Sequence, residues 1–241
     1  MPRLQLQEVS RRFGGAVVLD GVSFEAAPGR VVGIIGPNGS GKTTLVNVIN
    51  GVYRPTRGSI TLDGHRIDGI SPHRLIRLGV SRTFQNPRVF QSLTVLDTLL
   101  MVSESAGRQR RETARARELL GLVGLADLAA APASELSGGQ KKLAEFARAL
   151  MTRPRLVLMD EPFAGIHPVI KQSLMTRVRE TCDQWGITYL VVSHEVSELV
   201  TLSDEFLCLA QGRVLASGDP AAVSGDPAVI EAYLGAPAGA R

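Results

Sequence analysis

The run Gly36-Pro-Asn-Gly-Ser-Gly-Lys42-Thr43 places glycines at its first, fourth and sixth positions and follows them with a lysine and a hydroxyl. The glycines let the backbone curl so that successive N–H groups face inward, and the N-terminus of the helix that follows adds partial positive charge there. An anionic triphosphate is the natural occupant of such a cradle, built from Gly36, Pro37, Asn38, Gly39, Ser40, Gly41, Lys42, Thr43 and Thr44. Lys42 then neutralises the β and γ phosphates, Thr43 ligates the Mg²⁺ that bridges them, and Thr44 helps hold the same phosphates. A Gly-rich turn that merely caps a helix needs neither a lysine nor a hydroxyl at these spacings.

Two further motifs carry chemistry. Leu156-Val-Leu-Met-Asp160-Glu161 is an apolar run that closes on two carboxylates, which a parallel sheet presents at its C-terminal edge beside the phosphate loop. Asp160 is placed to hold Mg²⁺ through water. Glu161 lies past the strand and is the candidate general base, polarising or deprotonating a water that attacks the γ-phosphate. Without the loop at 36–43, a solvated turn explains the Asp-Glu pair equally well. Leu136-Ser137-Gly138-Gly139-Gln140 precedes a helix with Leu143, Phe146, Ala147 and Leu150 on one face. Its serine hydroxyl and uncovered N–H groups at a helix N-terminus suit a γ-phosphate. An ordinary Ser-Gly-Gly cap accounts for the small residues but not for their company with the other two motifs.

The elements that must position these residues are legible in outline. Residues 4–9 alternate apolar and polar, and 16–26 and 58–67 are rich in Val, Phe, Ile and Thr with Gly between, which predicts short antiparallel strands. Arg30–Ile35 is an apolar strand entering the Gly-rich loop, and Thr43–Asn50 continues as a helix, the opening of a parallel α/β core. From about Leu93 to Ala130 the chain is rich in Leu, Ala, Arg and Glu with helical spacing at Leu119, Leu120 and Val123, an inserted helical lobe. Strands at 156–159 and 188–192 flank a helix at about Val169–Trp185, and the tail reads as a hairpin around Gly212 with a short helix at Ala228–Leu234.

The three motifs together, in this order, resemble the ATP-binding subunits of ABC transporters, with Leu136–Gln140 matching the family's signature. The resemblance covers nearly the whole chain. It implies an α/β P-loop NTPase fold (RecA-like), with a parallel-sheet core, an N-terminal antiparallel β subdomain and an inserted α-helical subdomain. It further implies one cassette domain over 1–241, with residues 1–91 and 151–241 as core plus β subdomain and 92–150 as the helical subdomain. In the family the signature cannot reach its own subunit's nucleotide, so two subunits stack head to tail and each closes the other's site over Mg²⁺ and ATP. Phe13 matches the aromatic that stacks on adenine, Gln85 the glutamine that touches Mg²⁺ or water, and His194 the histidine that contacts the γ-phosphate. By themselves these three read as a core aromatic, a surface amide and a structural histidine. One departure stands out: six positions after Glu161, where the family usually carries aspartate, this chain has His167. The loop Ala164-Gly-Ile-His-Pro168, the segment Arg82–Phe90 and the ending Asp226–Gly235 resemble the branched-chain, or hydrophobic, amino-acid uptake class. Transmembrane permease subunits, a second ATP-binding subunit and, indirectly, an extracytoplasmic solute-binding protein are the partners this implies. A homodimer and a heterodimer with a sister subunit both remain open.

Bulk composition agrees with a globular chain of 241 residues, 44% hydrophobic and 21% charged. No apolar run approaches the roughly 18 residues of a spanning helix, so the chain is expected in the cytoplasm, peripheral on the inner face of the cell membrane. Net charge is +4, and the arginines at 108, 110, 111, 115 and 117 alternate with Glu and Ala without interleaved aromatics. That pattern predicts a solvated helix face rather than a nucleic-acid surface. Cys182 and Cys208 belong to no CxxC pair and are expected as buried, reduced thiols. Rival classes are a soluble cassette ATPase such as an iron–sulfur assembly ATPase, and a degenerate ATP-binding regulator. The presence of Lys42, Asp160, Glu161 and His194 speaks for activity.

Overall fold

The strand that enters the phosphate loop, Val31–Ile35, points its side chains alternately to two different cores. Val31 and Ile35 join one apolar cluster, while Val32 and Ile34 join another. Gly33 lies between them because a Cβ there would stand 2.6 Å from the ring of Phe206 on the adjacent strand. The same alternation recurs in Leu156–Asp160, Thr188–Val192 and Glu205–Ala210, as a sheet covered on both faces requires.

This computed structural model describes residues 3–83, 93–102 and 109–234. In chain order its elements are β1 (Leu4–Phe13), β2 (Ala16–Ala26), β3 (Val31–Ile35), α1 (Lys42–Ile49), β4 (Arg57–Leu62), β5 (His65–Arg66), α2 (Pro72–Arg77), β6 (Val80–Thr83), α3 (Val95–Leu100), α4 (Gln109–Leu122) and α5 (Gly138–Met151). Then follow β7 (Leu156–Asp160), α6 (Pro168–Trp185), β8 (Thr188–Val192), α7 (Val196–Leu202), β9 (Glu205–Ala210), β10 (Arg213–Gly218), α8 (Pro220–Ser224) and α9 (Pro227–Leu234).

The central sheet runs β10-β9-β3-β8-β7-β6, parallel except for the β9–β10 hairpin. A second sheet, β2-β1-β4-β5, is antiparallel throughout. It shares with α1 and one face of the central sheet the core built on Leu4, Leu19, Leu45, Ile49 and Ile60. The opposite face packs against α3, α4, α5 and α6 through Leu99, Leu119, Phe146 and Val178. The fold is therefore the expected α/β P-loop NTPase architecture with an antiparallel N-terminal sheet.

Several details differ from the pattern read in sequence. The segment 58–67 is two strands, because Asp63 and Gly64 both take positive φ, 48° and 79°, and turn the chain into a hairpin. The helical stretch after Leu93 is interrupted: Gly124 takes φ 72°, and a 3₁₀ turn at Ala126–Leu128 follows it. Strand β6 was not expected, since four residues following Gly79 carry too short a pattern to register. Of the arginine run, Arg110, Arg111 and Arg117 are exposed, whereas Arg115 is half-buried with its guanidinium over the Trp185 ring. Both cysteines are free and buried.

Candidate active site

The phosphate loop ends in a helix that no side chain among the described residues caps. Gly41, at the N-cap of α1, has φ 107° and no side-chain bond to the helix, and the first turn holds no acid. The leading N–H groups of a helix have no intrahelical acceptor, so this terminus presents donors and partial positive charge suited to an anion. Gly41 must be glycine, because a Cβ would meet Leu19 at 2.8 Å and the Val18 carbonyl at 2.9 Å. Lys42 Nζ folds back to donate to the carbonyls of Gly36 at 2.7 Å and Pro37 at 3.0 Å. Burial lowers its pKa, with Glu161 and Asp160 pulling the other way. Ser40 Oγ is buried without a hydrogen-bond partner among the described residues.

A cavity of about 300 Å³ opens over this terminus, lined by Val18, Asn38–Thr44, Asp160 and Glu161. A larger one, about 850 Å³, lies beyond Pro37 between the β9–β10 hairpin and α9. Among the described residues its one lining cation, Arg213, is paired with Asp20, and Glu231 adds a second acid, so the smaller cavity is the better suited to an anion.

Strand β7 delivers both acids. Asp160 is its last residue and is buried, with Oδ2 accepting from Arg82 Nη2 at 3.1 Å. Arg82 Nη1 also donates to Asn47 Oδ1 of α1 at 2.5 Å. Glu161, one step further, takes φ 51°, the left-handed region that a glutamate rarely occupies, and is held there as its N–H donates to Val192 O at 2.8 Å. Glu161 Oε2 lies 2.8 Å from His194 Nδ1 and accepts from the His194 backbone N–H at 3.3 Å. His194 follows β8, so adjacent parallel strands place the Glu161 carboxylate and the histidine side by side. From behind, Lys142 Nζ of α5 donates to Glu161 O at 3.1 Å. Burial lowers the pKa of Lys142, against the pull of Glu145, Glu161 and Asp160.

The structure thus brings Lys42, Thr43, Thr44, Asp160, Glu161 and His194 together. Ser137–Gln140 are absent from the lining of the small cavity. There Ser137 Oγ accepts from Gln140 N–H at 3.3 Å and Gln140 Oε1 accepts from Ser137 N–H at 2.9 Å, a reciprocal capping box for α5. Phe13 also lies outside that lining; it is 37% exposed, edge-on to Tyr53 with centroids 5.0 Å apart, and Arg11 covers its ring at 4.4 Å. Gln85 is outside the described residues, as is most of the segment 82–90. His167 caps α6, its Nδ1 accepting from Val169 N–H at 3.3 Å. Sequence reasoning missed Arg82, Lys142 and Asn47: a lone cation or amide in a short strand or on a helix carries no signal until the fold brings its partner to it.

The family model described as ABC transporter matches residues 19–164, and that of the branched-chain amino acid ATP-binding cassette transporter matches 213–239. The chain is 37% identical to the high-affinity branched-chain amino acid transport ATP-binding protein BraF of Pseudomonas aeruginosa, over 97% of this chain and 98% of the relative. It is 34% identical to LivG of Escherichia coli K12, with the same coverage. Among solved structures it resembles an ATP-binding cassette from an ABC transporter in its ADP conformation, with TM-score 0.89 and 34% identity over 98% of this chain and 99% of that one. A dimeric cassette in a post-hydrolysis state, bound to ADP and phosphate, matches with TM-score 0.79 and 25% identity over 90% of this chain and 98% of that one. With the phosphate loop, the paired acids and the signature on one scaffold, the chain belongs to the ATP-binding cassette family of ABC transporters, an ATP-binding and ATP-hydrolysing subunit.

Proposed function

We propose that this chain pairs with a second ATP-binding subunit, its own copy or a similar sister, and that the pair drives uptake of branched-chain amino acids or related small solutes. Separate transmembrane permease subunits carry the solute, supplied by an extracytoplasmic solute-binding protein, and the pair sits on the cytoplasmic face of the membrane. The names of the full-length relatives and the tail match at 213–239 support this reading. Among the described residues no helix is long and apolar enough to cross a membrane, which leaves passage to a partner. The non-transport alternative, an iron–sulfur assembly ATPase, has no comparable support in the tail.

The observation that carries the catalytic reading is the Glu161–His194 pair, 2.8 Å apart, beside an uncapped phosphate loop. ATP binding draws Lys42 from its loop carbonyls to the β and γ phosphates, while Thr44 and the loop N–H groups hold the remaining oxygens. Glu161 accepts the proton of the attacking water as its oxygen bonds to the γ-phosphorus and ADP departs. His194 orients Glu161 and contacts the γ-phosphate. Phe13 stacks on adenine once Arg11 yields that face. Thr43, Asp160 and Gln85 are the residues that would hold Mg²⁺, a sparse oxygen set that phosphates and water complete, as this ion prefers. The chemistry the ion would supply there is neutralisation of phosphate charge.

Ser137, Gly138, Gly139 and Gln140 close the partner's site, because their helix terminus does not line the cavity of its own subunit. Closure follows because ATP bridges both halves and so binds the closed state better. Residues 92–150 act as the helical subdomain that, with Gln85, passes the motion to the permease, while 1–91 and 151–241 act as the core with its β subdomain.

The test is steady-state ATP hydrolysis by the purified chain and its Glu161→Gln variant, with light scattering to follow pairing. Turnover should fall at least about a hundredfold in the variant, with ATP-dependent pairing retained. Wild-type turnover in Glu161→Gln would remove Glu161 as the base. A wild type that neither hydrolyses nor pairs, even with its permease, would sink the paired engine.

A further inference from the structure

The last described helix reaches back to the first residue of the phosphate loop. Tyr233 Oη accepts a hydrogen bond from Gly36 N–H at 2.7 Å, across 197 residues of sequence. Helix α9 is set for this contact by Val229, which is 2% exposed and packed in the core one turn before Tyr233. Its start is fixed where Asp226 Oδ1 accepts from Ala228 N–H at 2.8 Å.

Gly36 is the residue at which the sheet stops and the loop begins. The ladder between β3 and β9 ends at Ile35 and Cys208, leaving the next N–H without a strand partner. A Cβ on Gly36 would stand 2.1 Å from the Leu209 carbonyl and 2.8 Å from Ser40 Oγ, so no side chain at 36 can supply an acceptor and no water-sized gap lies on that side. A buried unpaired N–H is costly. Tyr233 satisfies it, while the carbonyl of the same residue receives Lys42. One glycine therefore links the tail helix to the lysine of the phosphate site.

We propose that Tyr233 is a positioning residue for the phosphate loop, through which the C-terminal tail preorganises ATP binding. The proposal rests on the reading that loop 36–44 binds ATP. It makes helix α9, which lies within the stretch matched by the branched-chain model, a structural part of the nucleotide site. Tyr233 is 38% exposed, so removing only its hydroxyl leaves the fold standing.

The experiment compares the full chain with Tyr233→Phe. Dissociation constants for trinitrophenyl-ATP, the KM and kcat of ATP hydrolysis, and amide hydrogen exchange of the nucleotide-free protein are measured. Losing one hydrogen bond of ordinary strength should weaken nucleotide binding about three- to tenfold, raise KM with kcat nearly held, and speed exchange across residues 36–44 alone. Unchanged or tighter binding in Tyr233→Phe overturns the proposal, as does exchange that quickens uniformly over the chain. If the wild type binds no trinitrophenyl-ATP, the nucleotide reading itself fails, and exchange at 36–44 still decides whether the tail holds the loop.

Discussion

A Cβ on Gly139 would stand 3.0 Å from Ile170 Cγ2, whereas one on Gly138 meets nothing within 4 Å. Packing of α5 against α6 inside one subunit accounts for the small residue at 139. At 138 no described residue requires glycine, and this is where the proposed partner's nucleotide would lie. Gly138→Ala should therefore leave the isolated subunit as stable or more so, by up to about 1 kcal/mol, since alanine is the better helix former. Its ATP turnover should fall about tenfold or more, equivalent to roughly 1.4 kcal/mol of activation free energy. Thermal melts and steady-state hydrolysis on the same preparation check both signs together. Full activity in Gly138→Ala would mean that this surface never approaches a nucleotide.

Helix α6 begins where the chain departs from the usual aspartate. His167 caps this helix, its Nδ1 accepting from Val169 N–H, with Pro168 next as a favourable first residue. The helix is also tied to α7, as Lys171 donates to Glu195 and, at 2.8 Å, to Glu198. Its N-terminus thus lies close to the segments that carry both Glu161 and His194. Removing the cap with His167→Ala should cost about 1 kcal/mol, whereas His167→Asp should retain or improve stability, because aspartate caps well and its charge suits the helix N-terminus. Denaturant midpoints of the three proteins distinguish these outcomes; equal midpoints would mean that the cap contributes nothing.

Across the whole molecule, two apolar clusters sandwich the central sheet, and both cysteines lie in the cluster shared with the helices. Burial raises Cys182 from 9.0 to about 11 despite the opposing Arg179, and burial raises Cys208 likewise to about 11, against Lys42. The thiolate is the reactive form, so near pH 8.5 each folded thiol carries about a hundredfold less of it than an unshifted cysteine. Reaction with a disulfide reagent at pH 8.5 should be slow in the native protein, quicken as pH rises toward 11, and become rapid at pH 8.5 once the chain is unfolded. Prompt labelling of both thiols in the native state would show that the cluster holding them opens readily.

What was legible in the sequence is what short-range pattern fixes. The phosphate loop, the acids after Leu156–Met159 and the signature are contiguous runs, and their chemistry follows from residue type and spacing. Continuous apolar runs at 30–35, 156–159 and 188–192 pointed to a parallel sheet, hence an α/β core. Strand β6 and the break after Gly124 were not legible, since four residues or one positive φ leave no periodic trace. Nor were the partners of the site residues: Arg82 on Asp160, Lys142 behind Glu161, His194 beside Glu161, and Tyr233 on Gly36. Each joins groups far apart in sequence, so distance in the chain says nothing of them. Only the packing of parallel strands and the return of the tail bring them within hydrogen-bonding reach.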